Sequence, residues 1–164
     1  MIARRARALG RDCRGAALVE FTITLPLLLL LFALIVEVGT VVRQHQILSE
    51  GTRDAVRYLS RVPDPTTADA RRTARHLALT GALDGSLANR SAYWSDPSSV
   101  QVTVADIDNG AGDLRGPATL QVITVRATMT VDVPLIGPML RLFGGAAPAT
   151  LDLSAVDQAR YFGT

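Results

Sequence analysis

The sequence predicts an α+β chain, with a long amino-terminal transmembrane helix followed by a short helix and a small antiparallel β-sheet. Three patterns point to this class. Phe21 to Val36 carries no charge, and apolar positions then recur at three and four residues until Val62-Pro63-Asp64-Pro65. The carboxy-terminal half instead alternates apolar and polar residues with a period of two. A length of 164 residues leaves room for one small domain and an anchor, not for two full cores.

The chain opens on a basic segment. Arg4, Arg5, Arg7, Arg11 and Arg14 stand against Asp12 alone, an excess of about +4 within residues 1–15. The formal charge of the whole chain is only +2, so the remainder is slightly acidic. That balance argues against a nucleic-acid-binding body. Every basic residue is Arg and none is Lys, a bias we read as genome composition. Cys13 is the one cysteine, so no intrachain disulfide staples the fold.

Residues 16–42 form the predicted membrane span. Residues 21–42 alone make about 33 Å of helix, enough for a hydrocarbon layer of about 30 Å. A soluble core helix fits poorly, because Leu27 to Leu31 places apolar side chains on every face. The arginine asymmetry puts residues 1–15 in the cytoplasm as a leader. Residues 43–61 then continue the helix outside, and residues 62–164 form an extracytoplasmic α+β domain. A cleavable secretory signal would need a shorter apolar region and small residues after it, which Val36-Glu37-Val38-Gly39-Thr40-Val41 supplies poorly. Glu37 falls about 31 Å along the helix from Ala16, at the outer border, and is assigned no chemistry.

Glu20 is an acid at the cytoplasmic mouth of this span. A charged side chain at a bilayer centre costs about 2.5–3.5 kcal/mol on insertion scales, and less at an edge. Its bland role is to mark the border. Its setting suggests more: a basic leader, Gly15, then Ala16-Ala17-Leu18-Val19-Glu20-Phe21 and the apolar run. This arrangement resembles the class III signal of type IV pilins and pseudopilins. Within that class the segment Arg14 to Ser60 is similar to TadE-like proteins of Flp (Tad, tight-adherence) pilus systems. The residues that carry the likeness are Arg14-Gly15, Val19-Glu20-Phe21, Pro26, Glu37 with Gly39, and Ala55 to Tyr58. Beyond Ser60 only the layout agrees, and Gly51-Thr52-Arg53-Asp54 is more polar than the family's Ala-rich equivalent.

The resemblance implies a pseudopilin or minor pilin with a pilin-like helical spine, about 69 Å long over residues 16–61. It implies cleavage by prepilin peptidase between Gly15 and Ala16, and pairing between subunits through Glu20 and Phe21, with Glu20 meeting the Ala16 amine of the next protomer. Its implied partners are that peptidase, other pilins and TadF/TadG-like pseudopilins, the inner-membrane Tad assembly platform and the lipid bilayer, with no nucleic acid. The implied place is the bacterial inner membrane, single-pass, with the protein either staying at the base of the pilus or entering the fibre. The competing reading is an unprocessed single-pass envelope protein whose outer domain binds a ligand or a secretion or assembly partner. Pro26 withdraws the amide partner of the Thr22 carbonyl, so the helix is expected to bend there. That proline is either an ordinary membrane-helix proline or a meaningful kink.

Past the membrane, Leu48, Gly51, Ala55 and Leu59 make one apolar stripe. Glu50 with Arg53, and Asp54 with Arg57, have the spacing of surface ion pairs. A second helix is expected at 67–80, opened by a capping box from Thr66 to Asp69 and stopped by Gly81. Its exposed face would be basic through Arg71, Arg72, Arg75 and His76, a solvated face in preference to a binding patch.

Strands follow at Val100, Val102 and Val104, at 119–133, and at Leu151, Leu153 and Ala155. Leu120 and Val122 take one parity and Val125 to Val133 the other, which suggests a bulge near Ile123. Residues 134–148 are more apolar than a loop should be and either cover the sheet edge or meet a partner or membrane.

Catalysis finds no support. His45 and His76 stand in separate segments, and no HExxH, CxxC pair, P-loop or GxSxG occurs. Asp106, Asp108 and Asp113 lack the spacing of a calcium loop. The chain is expected to be no enzyme and to hold no cofactor or metal.

Overall fold

The computed structural model describes residues 13–110, 117–136, 141 and 150–162. The arginine-rich leader before Cys13 lies outside the described residues, as do Asp113 and the glycine turn around it, and Met139, Leu140, Leu142 and Phe143 of the apolar connection. Helix α1 (Cys13–Leu59) is followed by helix α2 (Ala68–Thr80), a 3-10 turn at Pro97–Ser99, and strands β1 (Val100–Asp108), β2 (Thr119–Asp132) and β3 (Thr150–Arg160). The expected α+β class is the one observed. The chain divides into two compact units, Met1–Gly39 and Thr40–Thr164, and α1 supplies residues to both.

In the first unit apolar side chains look outward all round α1. Phe21, Ile23, Leu27, Leu31 and Phe32 are each more than half exposed. A helix with this surface is stable where its surroundings are themselves apolar. The helix is long and apolar enough to cross a membrane. Its polar hydroxyls are satisfied locally, since Thr22 Oγ1 donates to the Leu18 carbonyl at 2.7 Å and Thr24 Oγ1 to that of Glu20 at 2.8 Å.

The second unit packs the end of α1 and all of α2 on one face of a three-stranded antiparallel sheet of order β1-β2-β3. The predicted stripe is buried: Leu48, Ala55 and Leu59 at the core, and Gly51 with them. α2 contributes Ala70, Ala74 and Ala78, small residues that let it approach α1 closely. Trp94 seals the junction at 1 % exposure, its Nε1 donating to Ser99 Oγ at 2.9 Å. A Cβ on Gly51 would stand 2.7 Å from Trp94 Cζ3 and closer still to the Ala78 carbonyl oxygen, so the position admits no side chain without movement. The polar stretch that departs from the family pattern thus includes a close helix-to-helix contact at Gly51. Thr52 is buried too, its hydroxyl bonded to the Leu48 carbonyl at 2.7 Å.

Four local expectations are corrected. The register is unbroken from Val100↔Ala127 to Asp108↔Thr119 and from Val122↔Arg160 to Asp132↔Thr150, so β2 has no bulge at Ile123. The odd-numbered residues Ile123 to Val131 face the helices, while Leu120 and Val122 belong to the opposite face, where Leu120 is buried apart from the main cluster. The cap of α2 is Thr67, whose Oγ1 accepts from the Ala70 amide at 3.2 Å; Thr66 instead donates its amide and hydroxyl to Asp64 Oδ1. Gly81 ends α2 as expected, at φ +80°. The helix-surface charges reach across elements instead of along α1. Arg90 Nη2 donates to Asp54 Oδ2 at 2.6 Å, and Arg53 lies 3.9 Å from Asp157. α1 itself ends at Leu59, short of the expected 61.

Candidate processing and assembly segment

The residues singled out by sequence all lie on the exposed first part of α1. Gly15 and Ala16 are exposed, as are Glu20, Phe21 and Pro26. Ala16 and Glu20 are one helical turn apart, which puts them on one face. Among the described residues, a methyl group on Gly15 would meet no atom within 4 Å beyond its own helix backbone and chain neighbours.

Helix α1 is continuous through Pro26, even though proline has no amide to give the Thr22 carbonyl. Two threonine back-bonds flank that gap on its amino-terminal side. Glu37, expected at the outer border of the span, is a buried carboxylate. It is only 7 % exposed and has an interaction partner, in a stretch whose neighbours Val36 and Val38 are half exposed.

The second unit carries polar residues that sequence reasoning passed over. Arg90 ties its loop to α1 through Asp54 and donates its amide to the Leu79 carbonyl at 2.7 Å. Ser91 Oγ donates to Gln44 Oε1 at 2.7 Å, a second loop-to-helix tie. Of the α2 face expected to be solvated, Arg72 is exposed and pairs with Asp69, while Arg75 is half-buried and its Nε donates to the Val100 carbonyl at 3.2 Å. Asp106 and Asp108 sit exposed near the end of β1. Hydrogen bonds from Thr66 hold the Asp64 carboxyl below the usual carboxylate range, and bonds from Ser86 and Ser98 do the same for Asp84 and Asp96. Each is a turn-closing acid, and among the described residues no cluster of His, Cys, Asp and Glu is arranged to hold a metal ion.

What distinguishes the chain is therefore the exposed apolar helix and the short polar sequence at its start. Residues 15–57 match the TadE-like protein family. The match begins at Gly15 and ends two residues before α1 does. It takes in Glu20, Phe21, Pro26, Glu37 and the buried stripe up to Ala55, and none of the sheet. No curated protein and no solved structure matches the chain significantly. The TadE-like segment is thus the helix, and the sheet it carries is described by its own geometry alone.

Proposed function

We propose that this chain is a pseudopilin or minor pilin of an Flp-type (Tad) pilus, matured by prepilin peptidase between Gly15 and Ala16. The observation that carries the reading is that the TadE-like match, which begins at Gly15, coincides with the exposed apolar helix. Cleavage creates an ammonium at Ala16, and Glu20 stands one turn away on the same face. In a helical array the carboxylate neutralises such a cation on the next subunit, where low dielectric strengthens the pair. The second unit then lies outside the cytoplasm, and the apolar helix serves as its anchor before assembly. Its partners are the peptidase, other pilins and TadF/TadG-like pseudopilins, and the inner-membrane assembly platform.

Amino-terminal sequencing of protein extracted from membranes tests the processing step. The expected first residue is Ala16, and a bulky substitution at Gly15 blocks the cut. Protein starting at Met1 in cells with an active prepilin peptidase overturns the reading and leaves the unprocessed anchored protein in its place.

A further inference from the structure

The second unit begins at Thr40, among the last residues of the apolar run, so heights within it can be counted along its own part of α1. Val41 already packs against the core cluster. Ser91 Oγ donates to Gln44 Oε1, and the Tyr93 amide donates to Ser91 Oγ at 3.1 Å, which ties Tyr93 to the level of Gln44. On the sheet side, Ser154 shares one cleft with His45 and Ser49. The Phe162 amide meets the Ser60 carbonyl, so β3 climbs in the same direction as α1. Leu151, three residues before Ser154, is about 10 Å lower along the strand, at about the height of Val42. Strand β2 ends there too: Asp132 pairs with Thr150, and Leu135 follows in the next turn.

If residues 16–42 form the span, this end of the unit stands in the headgroup layer. A hydrocarbon core of about 30 Å within a bilayer of about 40–45 Å leaves about 5–7 Å of headgroups on each side. At 1.5 Å per residue that layer covers about four helical residues past Val42. Whatever is tied to α1 from Val41 to Gln46 then lies inside it. The side chains exposed at that height suit the place. Val42 is half exposed, and Tyr93, Leu135 and Leu151 are 41, 39 and 40 % exposed. A tyrosine offers its ring to the acyl chains and its hydroxyl to the wet side. Arg43 is exposed at the same level, where a long cationic side chain reaches lipid phosphates. Asp132 and Asp152 are exposed at this end as well, so charge supplies no net pull toward anionic lipid.

We propose, on the reading that residues 16–42 span the membrane, that the base of the second unit rests in the lipid headgroup layer, with Tyr93, Leu135 and Leu151 touching lipid. The contact is apolar and indifferent to lipid charge. All three side chains stand on segments other than α1. Lipid contact at these points, added to the stalk itself, limits how far the unit can tilt on its single helix.

The test reconstitutes the full chain in phosphatidylcholine vesicles, with Cys13→Ser removing the native thiol. Tyr93→Cys, Leu135→Cys and Leu151→Cys each carry an environment-sensitive fluorophore, quenched by lipids that bear a nitroxide at the headgroup or the upper acyl chain. Val156→Cys and Ile107→Cys are the comparison sites, because those residues are 47 and 44 % exposed but stand higher on the sheet. Leu30→Cys reports on the span itself, and Trp94 emission before labelling shows that each variant keeps its core. The three basal labels should be quenched at least twofold more than the two upper ones, and to the same extent when anionic phosphatidylglycerol replaces part of the lipid. Equal quenching at basal and upper sites, or basal quenching that requires the anionic lipid, would overturn the proposal. Quenching at Leu30 with none at the base overturns it and leaves the anchor standing, whereas no quenching at Leu30 overturns both. None of these readouts depends on cleavage at Gly15, so failure here is distinct from failure of the processing step.

Discussion

At the scale of single residues, Gly51 and Glu20 lie on one helix and answer to opposite surroundings. Gly51 is fixed by the interior, because the Ala78 carbonyl and the Trp94 ring occupy the space a side chain would need. Gly51→Ala should lower stability by about 1–3 kcal/mol, the usual cost of overpacking a close contact, and Gly51→Val by more. Thermal melts followed by Trp94 fluorescence measure this, and an unshifted midpoint for both variants would mean that the two helices do not approach as described.

Glu20 is exposed, and among the described residues no hydrogen bond or ion pair holds its carboxylate. If it pairs with a neighbour's Ala16 amine, Glu20→Gln should leave insertion and cleavage after Gly15 intact and reduce co-purification with other pilins. Normal mature size with normal co-purification would return Glu20 to the role of a border residue. Neither residue's situation was equally legible in the sequence. The chemistry of Glu20 shows in its neighbours along the chain, whereas the demand on Gly51 comes from Ala78 and Trp94, 27 and 43 residues away by number.

At the scale of elements, the turn into α2 shows how local chemistry chose between two adjacent threonines. Sequence spacing favoured Thr66 as the cap because Asp69 stands three residues later. Asp64 claims Thr66 first, through both its amide and its hydroxyl, and the cap passes to Thr67. Thr67→Ala should cost about 1 kcal/mol, a typical loss for an amino-terminal cap. The lowered Asp64 carboxyl adds an acid dependence. A group whose pKa is depressed on folding stabilises in full above its unfolded-state value and loses that contribution as the pH falls through the folded-state one. Melting midpoints of wild type and Asp64→Asn should therefore differ near neutrality and converge in strong acid, and a constant gap would exclude this origin.

The stripe of α1 and the alternation of β1 and β3 were readable because each follows its own element's period. The opening of β2 misled because Leu120 and Val122 serve the other face of the sheet, and two apolar faces on one strand mimic a slip. The segment 82–99 has no period to read. The placing of Trp94 there depends on partners brought in by α1 and α2.

For the whole molecule, the consequence of charge asymmetry is topology. The five arginines before Gly15 should hold the amino terminus in the cytoplasm. A reporter active only outside the cytoplasm, fused after Thr164, should work, and exchanging those arginines for glutamate should weaken its signal. Signal from a cytoplasm-only reporter at the same point would invert the assignment. The membrane-compatible helix and the sheet-bearing unit were both legible as classes from composition and period. The loop-to-helix ties of Arg90 and Ser91 were not, because single polar contacts across tens of residues leave no pattern in a sequence.

The closure of the chain also sets an order of events during synthesis. Tyr161 donates its hydroxyl to the carbonyls of Val62 and Pro63, and the Phe162 amide bonds the Ser60 carbonyl. Helix α2 and three strands lie between these partners, and β2, the centre of the sheet, has no second neighbour until β3 exists. At roughly 5–20 residues per second, the ribosome reaches Tyr161 about 5–20 s after Val62. Throughout that interval the turn after α1 waits for its latch and β2 keeps one side open. Under the proposed topology the polypeptide would pass through a translocation channel as an unfinished sheet, and tertiary closure would belong to the compartment where the final strand arrives.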